Sequence, residues 1–284
     1  MRRPYSILAD AIASFLADDG WAIASHIALS TLTSLFPFLI FVAALAGFLG
    51  SQDLSDEAAR LLFGAWPDVV AKPIAAEVKD VLTEPRGGLL TFGAILALYF
   101  SSNAIEALRT GLNRAYETPE QRPWWFLRAQ SILFVAFGAM ALLALAFLVV
   151  LGPLIFRTAV YFAPGLEELR RLVTLGRLGL ATVALAVALT LAHLYLPAAK
   201  LKLGEIWPGV AVTFVCSFGF GEAFGFYLSE YTRNYVATYA GLAYVMIALV
   251  FLYTVAAIFV FGGELNAAII RAQKAEIIRA RRKP

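Results

Sequence analysis

The chain has 284 residues, of which 61% are hydrophobic and 15% charged, with 23 Lys and Arg against 20 Asp and Glu. That composition excludes a water-soluble domain of this size, which needs far more polar surface. One cysteine, Cys216, allows no intramolecular disulfide, and two histidines far apart, His26 and His193, give no zinc-type spacing.

In chain order, residues 5–16 place Leu8, Ile12, Phe15 and Leu16 on one helical face, as in a helix lying at a membrane surface. Asp10, Asp18 and Asp19 exclude a signal peptide there. The apolar residues then fall into runs near the ~20 residues needed to cross the hydrocarbon core. They predict spans at about 27–50, 87–111, 130–156, 176–199, 206–229 and 238–270, the last two interrupted by Glu222 and Glu264. The expected fold is therefore all-α: one polytopic membrane domain over residues 1–284, with six transmembrane helices. Residues 51–86 form an outside loop in which Ser55-Asp56-Glu57 starts a short amphipathic helix and Pro67 and Pro73 divide the segment. Residues 271–284 form a basic cytoplasmic tail.

Six spans put both termini on one side. Counting Lys and Arg with the termini inside gives fourteen inside and nine outside, so cytoplasmic termini are expected. Beside a membrane the basic tail is expected to meet anionic lipid headgroups rather than nucleic acid. Trp21, Trp124, Trp125 and Trp207 read as interfacial anchors.

Polar groups inside the spans carry the functional signal, because an ionised side chain at mid-bilayer costs about 2.5 to 3.5 kcal/mol. Glu222 stands between Gly221 and Gly225, glycines that would admit a neighbouring backbone and leave the carboxylate facing another helix or a polar cavity. Glu264 and Asn266 follow Gly262 and Gly263, a pair that predicts close packing or a helix break, with the polar side chains capping it or binding a partner. In the first span Ser34 and its neighbouring hydroxyls precede Pro37, which predicts a kinked, polar-lined helix. Asn103, Glu106 and Arg109 share a face by i, i+3 spacing, with Glu106 and Arg109 expected to pair at the inner interface. His193 is expected to be held by a hydrogen bond, with a proton relay as the alternative.

Four stretches carry a family resemblance covering nearly the whole chain. Residues 18–37, the Ser101 to Arg114 stretch with Arg122-Pro123-Trp124, the Leu194-Tyr195-Leu196-Pro197 end of the fourth span, and Tyr239-Ala240-Gly241 through Gly263-Glu264-Leu265-Asn266 resemble, in order, the YihY/BrkB family of bacterial inner-membrane proteins. The resemblance implies six spans with cytoplasmic termini and an inner-membrane location. It carries an old ribonuclease label, yet the sequence offers no metal-binding cluster and little outside the membrane to hold RNA, so no enzyme, catalytic residue, metal or cofactor is expected. Two functions remain. One is a transporter or flippase of a lipid or envelope substrate, through a polar cavity bearing Glu222, Asn103 and the Pro37 kink. The other is a non-transporting membrane scaffold, in which Gly241 joins the other glycines in helix packing; a homo-oligomer is left open in either case.

Overall fold

The computed structural model describes residues 4–48, 89–162, 170–239 and 242–281. These form seven α-helices and no strand: α1 (Pro4–Ala17), α2 (Gly20–Phe48), α3 (Leu89–Ala115), α4 (Trp124–Phe162), α5 (Arg170–Tyr195), α6 (Leu203–Tyr239) and α7 (Leu242–Arg281). The outside loop at 51–86 and Gly241 lie outside the described residues.

Helix α1 starts with Pro4 in its first turn, where a missing amide leaves no bond unmade. Its expected single apolar face is split. Ala11 and Phe15, one turn apart, are buried, whereas Leu8, Ile12 and Leu16 point outward. Phe15 turns inward because its ring meets Phe261 of α7 edge-on at 6.2 Å and Trp21 of α2 at 5.1 Å. The break between α1 and α2 is local chemistry: the Asp18 amide closes α1 on the Ser14 carbonyl, and the Ile23 amide opens α2 on the Asp19 carbonyl. Asp19 takes φ 56°, a left-handed conformation that Asp tolerates better than most residues. Gly20 follows because any Cβ there would strike the Phe15 ring.

The turn after α3 is a Schellman motif, with the Thr118 amide on the Asn113 carbonyl and the Glu117 amide on that of Arg114. Glu117, at φ 51°, occupies the left-handed position usually given to Gly. Helix α6 opens on half of a capping box: the Lys202 amide donates to Glu205 Oε2 at 2.7 Å. Helix α2 runs on through Pro37, and α7 runs on through Gly262 and Gly263 to Arg281, so the glycine pair makes no helix break and much of the basic tail is helical.

Helix α7 is the hub, packing against α1, α2, α3 and α6. Helix α4 lies against α2 and α3, and α5 joins α4 to α6, which closes the ring. A core of Phe15, Ala24, Ile27, Leu112, Leu196 and Val260 fills one end, the end where α1 sits. Four helical stretches, Gly20–Val42, Trp124–Leu148, Leu203–Glu230 and Val245–Ile278, are long and apolar enough to cross a membrane. Large apolar side chains such as Phe137, Phe218, Phe226 and Met246 point outward from them. So many exposed apolar groups on long helices make this a membrane protein.

Candidate functional site

The α6–α7 crossing supplies the tightest geometry. Gly209 and Gly262 lie backbone to backbone: a Cβ on Gly209 would strike the Gly262 carbonyl, and one on Gly262 would strike Thr213 Oγ1. Because Pro208 precedes it in the second turn of α6, this is a weak place for regular helix bonding, and the Gly209 amide donates sideways to Asn266 Oδ1 at 2.6 Å. Asn266, fully buried, also donates from Nδ2 to the Tyr116 hydroxyl at 3.1 Å. Asn266 thus ties α6 and the α3–α4 turn to α7, instead of capping a break. Burial pushes the Tyr116 phenol above its ordinary range, which keeps it neutral.

A second polar cluster joins α3 to α4. Arg109, 3% exposed, donates to Glu106 Oε2 at 2.9 Å, to the Leu127 carbonyl at 2.9 Å and to the Ser131 hydroxyl. The pairing of Glu106 with Arg109 is as the spacing suggests. Arg128 donates to the Ser102 hydroxyl and to Asn103 Oδ1 at 2.9 Å, and its guanidinium lies over the Tyr99 ring. Asn103 is therefore engaged between α3 and α4, while Glu222 is exposed on α6, so the cavity expected to hold both is not formed among the described residues. Ser34 reaches across from α2 to the Phe100 carbonyl of α3 at 3.3 Å, beside Pro37. That hydroxyl serves interhelical contact rather than a cavity wall.

Three side chains pin the α5–α6 connection. Asn113 Oδ1 accepts from the Ala198 amide at 2.6 Å, Arg122 donates to the Leu196 carbonyl at 2.7 Å, and Gln130 to that of Tyr195 at 2.8 Å. Glu120 holds Arg122 and Asn113 in place. The Arg122 hydrogen bonds pull the Glu120 carboxyl from 4.5 down to about 2, so this contribution to stability is complete above the unfolded value and disappears as pH falls from about 4.5 to about 2. Thermal unfolding of wild type and Glu120→Gln should differ at neutral pH, with wild type the more stable, and converge across that window. Added salt should shrink the difference, since the pair is partly exposed.

Several polar groups are left without partners. Both Glu264 carboxylate oxygens, both His193 ring nitrogens and Thr213 Oγ1 are buried with no hydrogen-bond partner among the described residues. The hydrogen bond expected for His193 is absent there; its ring lies 4.7 Å from that of Phe259 instead. Gly263 is close to Leu112 and Ala115 of α3, so the Gly262–Gly263 pair serves close packing on two sides of α7. Gly221 and Gly225 do not: a Cβ on either meets nothing within 4 Å, and Glu222 between them is exposed. The helix approach expected at those glycines takes place about three to four turns nearer the start of α6, at Gly209. Reading the sequence missed Gly209, Asn113, Arg128 and Arg271; Gly after Pro208 early in an apolar helix was the available signal for the first.

Among the described residues no group of three or more His, Cys, Asp or Glu could hold a metal ion. The chain is 27% identical over 269 residues to a ribonuclease-like protein, YfkH, of Bacillus subtilis strain 168, covering 95% of this chain and 97% of that protein. No solved structure matches it. The sequence pattern of the virulence factor BrkB family matches residues 11–284. With the all-helical membrane architecture and a match of that extent, the chain belongs to the virulence factor BrkB family.

Proposed function

We propose that the protein moves a lipid or a related envelope precursor across the bacterial inner membrane, along the face of α6 that carries Glu222. The observation behind this reading is the carboxylate itself. It lies midway along a helix able to span the membrane, exposed, beside Gly219, Gly221 and Gly225, whose missing side chains leave open space. An ionised group facing hydrocarbon is expensive, so this face calls for a polar or cationic occupant at least part of the time. A lipid headgroup bearing an amine fits a shallow laterally open groove, because its acyl chains can stay in the bilayer.

Under this reading all six long helices α2 to α7 span the membrane, α1 lies on its surface, and both termini are cytoplasmic. The side chains at one end fit a membrane interface there. Trp21, Trp124, Trp125 and Trp207 are exposed there, at the starts of α2, α4 and α6, alongside the outward Leu8, Ile12 and Leu16 of α1. Nuclease chemistry and nucleic-acid binding form no part of the reading; the basic end of α7 would meet anionic lipid headgroups.

Purified protein in liposomes containing a fluorescent aminophospholipid should accelerate its movement between leaflets. Glu222→Gln should slow that movement about tenfold or more, the worth of one charge-assisted contact, with unfolding temperature unchanged. The second reading, a scaffold docking another membrane protein, is favoured by the same open glycines. It predicts no lipid movement and full retention of any cellular phenotype by Glu222→Gln.

A further inference from the structure

We propose that the seam between α3 and α4 binds the phosphate of an anionic phospholipid through Arg128 and Asn103, at a site separate from the Glu222 groove. Cations outnumber anions in this seam. The charged groups that act on Arg109 are Glu106, Arg122 and Glu120, and Arg122 pairs with Glu120 at 2.7 Å. Glu106 is left to serve both Arg109, at 2.9 Å, and Arg128, whose Nε stays 4.0 Å away. Two guanidiniums thus share one carboxylate, and the positive charge in excess sits between two membrane helices, where an unbalanced charge is expensive.

Arg128 also keeps a donor in reserve. Its Nη1 donates to the Ser102 hydroxyl at 2.7 Å and to Asn103 Oδ1 at 2.9 Å, both neutral acceptors. Its Nη2 donates to no group among the described residues, and neither does Asn103 Nδ2. The Arg128 side chain is 23% exposed and neither nitrogen is buried, so both can be reached from outside. The bond between Arg128 and Asn103 sets these donors side by side, one from each helix. Tyr99, Asn103 and Glu106 share the outward face of α3 by their spacing, and the exposed Tyr99 ring lies 4.4 Å beneath the guanidinium, which fixes its plane.

Depth selects a lipid as the source of the anion. Arg128 follows the exposed Trp124 by one turn, about 6 Å along α4, inside a stretch able to cross the membrane. Trp at the end of such a stretch marks the interface, so the guanidinium lies on its hydrocarbon side, where a phosphate arrives most readily with acyl chains attached. Ile95, exposed one turn before Tyr99, continues the seam as an apolar bed for those chains. A phosphate there supplies the missing negative charge through charge-assisted hydrogen bonds. A zwitterionic headgroup brings a cation of its own to a seam already in cationic excess, so a net anionic one is preferred. Glu106 lines the same seam and opposes the phosphate, which limits the affinity.

The test titrates delipidated full-length protein in detergent with phosphatidylglycerol or phosphatidylcholine and counts bound lipid by native mass spectrometry. It reads binding rather than movement between leaflets, so it stands or falls independently of Glu222. Wild type should hold its first phosphatidylglycerol about tenfold or more tighter than phosphatidylcholine, the worth of one charge-assisted contact. Arg128→Gln should remove that preference, whereas Lys274→Gln, at an exposed cation of α7 outside the seam, should keep it. Glu106→Gln should strengthen it, because the opposing carboxylate is gone. Misfolding does not produce a gain of binding, so this variant keeps the test decisive should Arg128→Gln fail to fold. Excess inorganic phosphate at matched ionic strength should leave the lipid in place. Equal affinity of wild type for the two lipids, a preference unchanged in Arg128→Gln or Glu106→Gln, its loss in Lys274→Gln, or displacement by inorganic phosphate overturns the proposal.

Discussion

Gly262→Ala and Gly209→Ala should each destabilise the protein by on the order of 3 kcal/mol or more, and many cells carrying either should accumulate little of it. A methyl at 209 meets the Gly262 carbonyl and the Asn266 amide, and one at 262 meets Thr213 Oγ1 and the Gly209 carbonyl. Backbone oxygens cannot rotate aside as a flexible side chain can, so α6 and α7 must separate. Separation also breaks the bond from the Gly209 amide to Asn266, leaving two buried polar groups unmatched. The same substitution elsewhere should grade with the space available. At Gly263 the new methyl lies 3.1 Å from Leu112 and 3.2 Å from Ala115, a contact that small shifts relieve, and the loss should be milder. At Gly221 and Gly225 nothing lies within 4 Å, so Ala should be neutral or stabilising by about 0.5–1 kcal/mol through helix propensity alone. Denaturant titration in detergent, followed by circular dichroism, gives the order. A large loss at Gly225 would mean that another protein surface covers that face and would favour the scaffold reading over the lipid groove.

Hydropathy made the helices legible, because long apolar runs are set by bilayer thickness and need no tertiary knowledge. Four of the predicted spans fall within α2, α3, α4 and α6 over the residues described, whereas 176–199 runs past the end of α5 at Tyr195 and 238–270 begins in the last residues of α6 before entering α7; only four stretches are by length and composition clear candidates to cross. The α3 stretch is diluted by Ser101, Ser102, Asn103, Glu106 and Arg109, all of which the structure turns to its neighbours. Local pairing was also legible: Glu106 and Arg109 are three apart on one helix, and i, i+3 geometry brings them together whatever surrounds them. What could not be read is which glycine meets a neighbour. Gly221 and Gly225 have the spacing of a packing motif, yet the crossing of α6 and α7 falls at Gly209, a choice set by rotation and register between two helices. The inward turn of Phe15 has the same origin. It shares a stripe with Leu8 and Ile12 by periodicity alone, but the stripe is wide enough to straddle α7 and the outside. Arg128 and Arg271 escaped notice because each looks like an ordinary loop or tail cation until its partners, far away in sequence, are in place.

Replacing Arg109 tests whether the α3–α4 cluster stabilises by charge or by shape. Arg109→Ala should lower stability by about 3–5 kcal/mol, as expected when one member of a buried ion pair is removed, because Glu106, the Leu127 carbonyl and the Ser131 hydroxyl all lose a donor. Arg109→Lys keeps the charge but has a single ammonium on a flexible stem, unable to fork towards a carboxylate, a carbonyl and a hydroxyl at once, so it should recover only part of the loss. Glu106→Gln, in contrast, leaves Arg109 and Arg128 facing each other with their shared anion gone, since Glu106 lies 2.9 Å from one and 4.0 Å from the other. Its effect and that of Arg109→Gln should not add: the double variant should be more stable than the sum of the singles implies, because each change removes the charge that the other strands. Unfolding of the four proteins in one detergent completes the cycle. If Arg109→Lys matches wild type, charge alone suffices; if it matches Arg109→Ala, the planar fork is what joins α3 to α4.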